Sequence, residues 1–421
     1  MEAIRIYGGN CLEGQTTIQG SKNAVLPVLA ATLLIDGICV IDNCPVITDV
    51  YHMLRLMESA GCTIKRIGHR VEIDTGGVTP GTMPADSVGV MRSSITLLGA
   101  LLARCKKARM DYPGGCVIGQ RPIDLHLAGL RRMGVVIREE SDGFEAEAER
   151  MHGAVHKLPF VSVGATENLI LAAVLAEGET VIEPAAREPE IQTLCHFLKK
   201  AGAKIRGIGT SRLRIQGVER LRPVAYAIPA DRIVAGTYVA ACMCAGGRVF
   251  LRDAPVSQMQ AVLDMAVLMG AETEVYGEGL TVIVRRRPKA VPVLRTGCYP
   301  GFPTDLQSPF LCVMALADGV SIVEENVFEN RFRIVEELNR MGADVTVQAN
   351  QALVRGRRKL SGTRVEAKEL RGGAALVAAG AAAEGITVIG QKHFLDRGYE
   401  RIVEDMNNLG VCAETCEEAR E

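Results

Sequence analysis

The sequence predicts an α/β fold built from six copies of one unit, arranged as two lobes of three copies each. Three observations lead to this prediction. A helix-ending glycine recurs at nearly constant spacing, an apolar helix opens every copy, and the last copy lacks strands that the N-terminus can supply. A period of about 70 residues is too long for a solenoid repeat, so compact lobes with internal pseudo-symmetry are expected.

The clearest repeated feature is a glycine between a helical pattern and a strand-like pattern. Each follows apolar residues at helical spacing and precedes β-rich residues, as expected for a glycine that closes a helix in the left-handed conformation. Each copy is therefore predicted as helix, strand, helix, strand, strand. The six glycines are Gly61, Gly134, Gly202, Gly270, Gly342 and Gly410.

The boundaries of the copies follow from these equivalent positions. The sixth copy is the shortest, and residues 2–8 and 12–20 are similar to the strands that close the third copy, at 211–217 and 221–229. The N-terminal strands are therefore expected to complete the sixth copy. This predicts a first lobe of 21–229 and a second lobe of 1–20 plus 230–421, with hinge crossings near residues 20 and 230. The copies are 21–88, 89–160, 161–229, 230–301, 302–368 and 369–421.

The first helix of every copy is apolar on nearly all faces, as in residues 24–34 and 309–317. A helix of this kind is buried on all sides. Three such helices are expected at the centre of each lobe, with amphipathic second helices and small sheets outside them.

Composition argues against several classes of protein. The formal net charge of -1 leaves no basic surplus for nucleic acid. The most apolar stretches are too short for a membrane span of about 20 residues, and the strand-like segment 1–7 is unlike a signal peptide. A cytoplasmic protein is expected, and no feature indicates an obligate protein partner.

The 13 cysteines fit reduced thiols in such a compartment. Cys242 with Cys244, and Cys412 with Cys416, are weak metal candidates that lack histidine partners at zinc-binding spacing. His152 and His156 flank a glycine, which favours a solvated surface over a metal site. No metal or cofactor is expected.

Polar residues stand just before each apolar helix, where backbone N–H groups are unpaired and the helix dipole is positive. Several N-termini that converge would form an anion site. Cations at such positions oppose the dipole unless an anion is bound, whereas serine, threonine and aspartate are equally explained as N-caps. These pairs are Lys22 and Asn23, Arg92 and Ser93, Ser162 and Gly164, Asp231 and Arg232, Thr304 and Asp305, and Glu369 and Arg371.

Residues 113–126, Pro-Gly-Gly-Cys-Val-Ile-Gly-Gln-Arg-Pro-Ile-Asp-Leu-His, are predicted to form the longest turn at their position among the copies. Glycines let the backbone approach a ligand, and an enlarged turn on a repeated scaffold is typical of a functional lid. A free cysteine is more often a small buried hydrophobe than a reactive thiol. Cys116 is a catalytic candidate because a lid at this turn would hold it over the anion site.

Together these motifs resemble the UDP-N-acetylglucosamine 1-carboxyvinyltransferases, which are enolpyruvyl transferases of the EPSP synthase superfamily. The resemblance covers residues 4–411 and implies a two-lobed inside-out α/β barrel. Besides the segment 113–126, it rests on Gly20-Ser-Lys-Asn-Ala24, Ser162-Val-Gly-Ala-Thr166, Phe302-Pro-Thr-Asp305, Phe328-Glu-Asn-Arg331 and Asp396-Arg-Gly-Tyr-Glu-Arg401.

The resemblance implies transfer of the enolpyruvyl group of phosphoenolpyruvate to the 3′-hydroxyl of UDP-N-acetylglucosamine, with release of phosphate. The reaction proceeds by addition and elimination through a tetrahedral ketal and begins peptidoglycan synthesis. It requires no metal, and members of the family are inactivated by the epoxide fosfomycin at the loop cysteine.

The resemblance also assigns roles to residues. Cys116 would deliver a proton to the methylene carbon or form an adduct with phosphoenolpyruvate, and Asp305 would take the proton of the sugar hydroxyl. Lys22 and Arg397 complete the catalytic set. The implied phosphoenolpyruvate contacts are Lys22, Asn23, Arg92, Arg121, Arg371 and Arg397. The implied UDP-sugar contacts are Asn23, Arg92, Arg121, Pro122, Ile123, Asp124, Leu125, Ser162, Val163, Gly164, Thr304, Asp305, Val327 and Arg331.

Three features depart from the family pattern. Glu369 stands where an aspartate is usual, which leaves the role of that carboxylate open, and Phe160 stands where some members have a lysine on the diphosphate. The tail, residues 412–421, is outside the shared pattern and is expected to be a solvated end.

Two alternatives remain. The first is the related transferase that acts on shikimate 3-phosphate, against which the Cys116 loop and the segment Arg121 to Asp124 argue. The second is a non-catalytic sensor of UDP-sugars, against which the retained Cys116, Asp305, Lys22 and Arg397 argue.

Overall fold

The computed structural model describes residues 2–78, 92–112 and 123–417, with the backbone alone at Arg92 and Ser93. The described residues form two compact units. The first unit comprises residues 20–78, 92–112 and 123–229, and the second comprises residues 2–19 and 230–417. Each unit has its own hydrophobic core.

The chain begins with β1 (Glu2–Gly8) and β2 (Leu12–Thr17), which belong to the second unit. The first unit then contains α1 (Lys22–Thr32), β3 (Ile38–Asp42), α2 (Thr48–Ser59), β4 (Thr63–Ile67), β5 (Arg70–Asp74), a 3-10 turn (Arg92–Ile95), α3 (Thr96–Cys105), β6 (Lys107–Asp111), α4 (Asp124–Arg132), β7 (Val136–Glu139), β8 (Gly143–Glu147), β9 (Val155–Lys157), α5 (Val163–Ala173), β10 (Glu179–Glu183), α6 (Pro189–Lys200), β11 (Lys204–Arg206), β12 (Leu213–Gln216) and β13 (Ala225–Ala227).

The second unit continues with α7 (Arg232–Ala245), β14 (Gly247–Arg252), a 3-10 turn (Val256–Gln258), α8 (Gln260–Leu268), β15 (Glu272–Tyr276), β16 (Gly279–Val284), β17 (Val293–Arg295), a 3-10 turn (Thr304–Leu306), α9 (Gln307–Leu316), β18 (Val320–Glu324), a 3-10 turn (Arg331–Ile334), α10 (Val335–Arg340), β19 (Val345–Gln348), β20 (Gln351–Arg355), β21 (Arg364–Glu366), α11 (Leu370–Ala382), β22 (Gly385–Gly390), a 3-10 turn (Lys392–Phe394), α12 (Ile402–Asn408) and β23 (Cys412–Glu417).

The predicted order of helix, strand, helix, strand, strand is present in every copy. All six helix-ending glycines have positive φ, from 90° at Gly410 to 109° at Gly202, so each closes its helix as expected. The three strands of a copy form an antiparallel sheet, as in β3, β5 and β4. The prediction of an α/β repeat protein is therefore confirmed.

Short strands link neighbouring copies, which the sequence pattern did not predict. β13, at the end of the third copy, pairs in parallel with β3 of the first copy. β9, β17 and β21 pair in parallel with the first strand of the next copy, which is β10, β18 and β22 respectively. The linking strands β9, β13, β17 and β21 have only three residues each. A segment so short has no recognisable periodicity, although its backbone bonds fasten one copy to another.

The N-terminal strands join the second unit. β1 pairs antiparallel with both β22 and β23, so it completes the sixth copy as predicted. β2 runs parallel to β14 of the fourth copy. Residues 412–417 are mostly exposed, as expected of a solvated tail, but they form the edge strand β23, which the prediction did not include.

The apolar first helices form the core of each unit. Every residue of α9 is buried, and α9 packs against α7 and α11. In the first unit α3 packs against α1 and α5. No helix among the described residues is long and apolar enough to cross a membrane.

The interpretation of His156 as a surface residue was wrong. Its side chain is buried in β9, whereas His152 is exposed and lies outside this strand. Burial lowers the pKa of the His156 imidazole to about 4, with Arg132 contributing. Within the described part of the chain, no three histidine, cysteine, aspartate or glutamate side chains are grouped so as to hold a metal ion.

Candidate functional site

In the second unit, the Asp305 carboxylate lies between two buried guanidinium groups. Arg331 Nη2 donates to Oδ1 at 2.6 Å, and Arg371 Nη2 donates to Oδ2 at 3.3 Å. The two arginine side chains are 2% and 4% exposed, whereas that of Asp305 is 25% exposed. The carboxylate is therefore held by charge-assisted bonds on one side and reachable from solvent on the other.

Arg331 contacts the turn Thr304–Leu306 and the segment that precedes Arg331 in sequence. Its Nε donates to the Thr304 carbonyl at 3.3 Å, and its guanidinium lies 5.7 Å from the centre of the Phe328 ring. Buried Glu325 links the same two segments, because it accepts from the Thr304 hydroxyl at 2.9 Å and from the backbone N–H of Val327 at 2.8 Å. Thr304, in the turn before α9, is thus joined by hydrogen bonds to the segment after β18 that contains Val327 and Arg331.

Glu369 is the N-cap of α11. Its carboxylate accepts from the backbone N–H of Arg371 at 2.8 Å and from that of Gly372. It also lies 4.0 Å from Arg331 Nη1. Glutamate is an uncommon N-cap, and here the extended backbone at φ -167° lets the longer side chain fold back onto the helix. The departure from aspartate therefore leaves the carboxylate with a structural role.

The charge of Arg371 is balanced inside the protein. Burial opposes its charged form, but Asp305, Tyr399 and Asp231 together outweigh burial, and the pKa of the Arg371 guanidinium is raised above its ordinary value. An arginine near a helix N-terminus was expected to need an external anion. The carboxylate of Asp305 supplies that counter-charge in this structure.

Arg397 lies between the 3-10 turn Lys392–Phe394 and α12, and it is half-buried. The side chain of Gln19 holds this segment, since it donates to the Gly398 carbonyl at 3.1 Å and accepts from the Glu400 N–H at 2.8 Å. Gln19, which follows β2, therefore holds the backbone just after Arg397 in the sequence.

In the first unit, Lys22 is the first residue of α1 and its ammonium is paired. Nζ lies 2.9 Å from Oδ2 of Asp49, which is in the first turn of α2, and the two side chains are 11% and 2% exposed. Ser21 caps α1 by accepting from the Ala24 N–H at 3.3 Å. Asn23 follows Lys22 and is half-buried.

The N-terminus of α5 is a second capped helix end. Ser162 accepts from the Ala165 N–H at 3.3 Å, while Val163 and Phe160 are 37% and 61% exposed. A side chain at Gly164 would come within 3.3 Å of His126 Nε2, so this ring packs directly on the helix end. The N-cap interpretation of Ser162 is therefore correct as a structural role.

Asn168 decides the tautomer of His126. Its Oδ1 accepts from the Gly99 N–H at 2.6 Å, so its Nδ2 must be the group that donates to the Ile95 carbonyl and to His126 Nδ1, each at 3.0 Å. In neutral His126 the proton is therefore on Nε2, the nitrogen that faces Gly164. Asp124, at the start of α4, is exposed, and Ile123 and Leu125 are half-buried beside it.

A family model described as EPSP synthase (3-phosphoshikimate 1-carboxyvinyltransferase) matches residues 6–406. UDP-N-acetylglucosamine 1-carboxyvinyltransferase 2 of Caldanaerobacter subterraneus is 44% identical over 411 residues, which cover 98% of this chain and 99% of that relative. The UDP-N-acetylglucosamine 1-carboxyvinyltransferase of Granulibacter bethesdensis is 46% identical over 414 residues, 98% of each.

The chain belongs to the UDP-N-acetylglucosamine 1-carboxyvinyltransferase family. Among solved structures, the enolpyruvyl transferase NikO from Streptomyces tendae is 25% identical with a TM-score of 0.89, covering 99% of both chains. EPSP synthase from Acinetobacter baumannii shares the fold, with a TM-score of 0.76, 18% identity and coverage of 99% of this chain and 100% of the other. These full-length matches confirm the enolpyruvyl transferase fold that the sequence predicted.

The structure distributes the family residues between two groups. Asp305, Arg331 and Arg371 are in contact in the second unit, and Lys22 is paired within the first. Cys116, Arg121 and Pro122 lie outside the described residues, as does the side chain of Arg92, so their roles stay predictions.

Sequence reasoning did not single out Asp49 and Asn168, which are the partners of Lys22 and His126. Each is a polar residue inside an apolar stretch or beside a motif, and the sequence offers only that position as a signal. Burial of a polar side chain requires a partner, but the partner is chosen by the fold.

Proposed function

We propose that the protein transfers the enolpyruvyl group of phosphoenolpyruvate to the 3′-hydroxyl of UDP-N-acetylglucosamine and releases phosphate. Relatives that carry the name of this activity are 44% and 46% identical over nearly their whole length. The reaction is the first committed step of peptidoglycan synthesis. Both substrates are cytoplasmic metabolites, so we assign the enzyme to the cytoplasm.

The observation that carries the proposal is the Asp305 carboxylate held between Arg331 and Arg371. A general base must be ionised, fixed in direction and open to its substrate. The two guanidinium groups stabilise the ionised carboxylate, and its partial exposure leaves room for a sugar hydroxyl. Because the Arg371 pKa is raised, this cation remains charged throughout the working pH range.

The chemistry divides into addition and elimination. In the addition, the 3′-oxygen bonds to C2 of phosphoenolpyruvate, its proton passes to Asp305, and Cys116 gives a proton to C3. In the elimination, the resulting ketal loses a proton from the new methyl group and phosphate departs, which restores the C2–C3 double bond. Cations oppose the negative charge of phosphate and carboxylate during both steps.

We assign the cationic role to Lys22, Arg92, Arg121, Arg371 and Arg397, as the resemblance implies. The first lobe, 21–229, would contribute Cys116, and the second lobe, 1–20 plus 230–421, would contribute Asp305, with chain crossings near 20 and 230. The UDP-sugar contacts are those that the resemblance implies, among them Asn23, Ser162 and Thr304.

One assay tests the function against its alternatives. Phosphate release from phosphoenolpyruvate is measured with UDP-N-acetylglucosamine, with shikimate 3-phosphate and without acceptor. We expect phosphate release with UDP-N-acetylglucosamine as the acceptor, and none with shikimate 3-phosphate or without an acceptor. Turnover only with shikimate 3-phosphate would move the assignment to the related transferase, and turnover with neither, together with binding of the UDP-sugar, would indicate a sensor.

A further inference from the structure

Arg371 has a second polar partner on the side away from Asp305. Its Nη1 lies 3.4 Å from the Tyr399 hydroxyl, and its guanidinium carbon lies 5.6 Å from the centre of the Tyr399 ring. Tyr399 is 1% exposed. The hydroxyl of Tyr399 in turn lies 2.8 Å from Oγ1 of Thr237, on α7. Arg371 is thus connected through one tyrosine to the central helix beside it.

The groups at the two ends of this hydrogen-bond series, the Arg371 guanidinium and the Ile233 carbonyl, determine the direction of every bond between them. A guanidinium can only donate, and a backbone carbonyl can only accept. Thr237 Oγ1 is 2.9 Å from the Ile233 carbonyl and donates its single proton there. Tyr399 must therefore accept from Arg371 and donate to Thr237, because no other arrangement satisfies both hydroxyl groups. Burial raises the pKa of Tyr399, so the proton that this arrangement needs stays on the hydroxyl.

We propose that Tyr399 and Thr237 are positioning residues for the reaction, which hold the Arg371 guanidinium so that its Nη2 meets the Asp305 carboxylate. The inference rests on the proposed function of Asp305 as the base. Arg371 lies at the start of α11, and the hydrogen bond from its Nη1 to the Tyr399 hydroxyl fixes the rotation of the guanidinium about the side-chain axis. Without that bond, Nη1 would lose its acceptor inside the protein, and the bond to Asp305 would lose its fixed direction.

The neighbouring Tyr238 provides a matched control. It follows Thr237 on α7, is also 1% exposed, and donates to Asp405 Oδ2 at 2.6 Å. Asp405 also accepts from the Thr16 hydroxyl at 2.7 Å. Removal of the Tyr238 hydroxyl therefore deletes a buried hydrogen bond of the same kind without altering any contact of Arg371.

The test compares Tyr399→Phe, Thr237→Val, Thr237→Ser and Tyr238→Phe in the full chain, with kcat and both KM values measured by phosphate release. We expect kcat to fall about tenfold in Tyr399→Phe and Thr237→Val while each KM stays within about twofold, because the variants alter orientation of the base and not substrate contacts. Thr237→Ser keeps the hydroxyl and should restore kcat. Tyr238→Phe should retain the kcat of the wild type even though its thermal stability falls.

A spectroscopic measurement keeps the inference separable from the proposed function. In protein labelled with [15N]arginine, the Arg371 Nε–H signal, assigned with Arg371→Lys, should shift in Tyr399→Phe and Thr237→Val and stay unchanged in Tyr238→Phe. If the wild type has no transferase activity, the proposed function fails and this signal alone decides the positioning role. An unchanged signal, an unchanged kcat in Tyr399→Phe, or an equal loss of kcat in Tyr238→Phe would overturn the inference.

Discussion

Lys22 and Asp49 form a buried ion pair, with 2.9 Å between Nζ and Oδ2 and side chains that are 11% and 2% exposed. The pair joins the first turn of α1 to the first turn of α2, so a residue expected to bind an anionic substrate is held by a carboxylate of the protein. Burial of both charges makes the loss of either one costly, because the remaining charge is desolvated without its counter-ion.

We therefore expect Asp49→Asn to lower the free energy of unfolding by about 3 kcal/mol. Urea denaturation, followed by circular dichroism, measures this loss. Asp36→Asn is the control, because Asp36 pairs with Arg104 at 3.1 Å but is 83% exposed. That exposed pair should change stability by less than about 1 kcal/mol. Equal effects of the two variants would contradict the role assigned to burial.

Asp305→Asn should reduce kcat for phosphate release by about 10²- to 10⁴-fold, the usual contribution of a general base. The amide keeps the shape of the side chain but cannot take a proton from the sugar hydroxyl. Exposed Asp318, which pairs with Arg287 at 3.1 Å, provides the control variant Asp318→Asn in the same unit. A kcat within tenfold of the wild type in Asp305→Asn would rule out this residue as the base.

Cys116→Ser should nearly abolish turnover at neutral pH and protect the enzyme from inactivation by fosfomycin. The prediction follows from the family resemblance, in which the loop thiol is both the proton donor and the site of epoxide alkylation. Peptide mass spectrometry of the treated wild type should find the adduct on Cys116. Cys298, which is exposed, supplies the control variant Cys298→Ser. Equal inactivation of Cys116→Ser and the wild type would contradict the assignment.

Stability should depend on pH through His156, whose pKa burial lowers to about 4 in the folded protein, against an ordinary value of 6.5. Between these values the unfolded chain binds more protons than the folded protein, so stability falls as pH decreases from 6.5 to 4. The full contribution is about 3 kcal/mol. In His156→Leu, the free energy of unfolding measured with urea should therefore decline less between pH 7 and 4. His152→Gln, at an exposed position, should leave the decline unchanged. The same slope in His156→Leu and the wild type would exclude this origin.

Phe160→Lys should lower the KM for the UDP-sugar by about threefold. Phe160 is 61% exposed near the capped N-terminus of α5, and a lysine there would add an exposed ionic contact with a diphosphate, worth up to about 1 kcal/mol. Phe160→Gln is the control, since it has no charge. An equal fall in KM for both variants would show that loss of the aromatic ring, and not the added charge, is responsible.

The positions of many candidate site residues could be predicted from the sequence, because these residues lie in motifs at the starts of the apolar helices. The residues expected before apolar helices include Lys22, Asp305 and Arg371. In the structure Lys22 begins α1, Asp305 lies in the turn before α9 and Arg371 is the second residue of α11. Their partners could not be predicted. Arg371 was expected to bind an external anion, and only the fold shows that the Asp305 carboxylate pairs with it. Glu369 was left without a role, because its cap depends on backbone geometry at one residue.

By itself, the sequence determined the six copies, the glycines that close their helices, the completion of the sixth copy by β1 and the family. These properties depend on residue types at regular positions along the chain, and local conformational preferences act over a few residues. Tertiary structure decided that residues 412–417 form an edge strand, that His156 is buried and that Tyr399 joins Arg371 to Thr237. Thr237 and Tyr399 are 162 positions apart. Only the packing of distant segments brings such groups within hydrogen-bonding distance, and burial then makes each of them require the other.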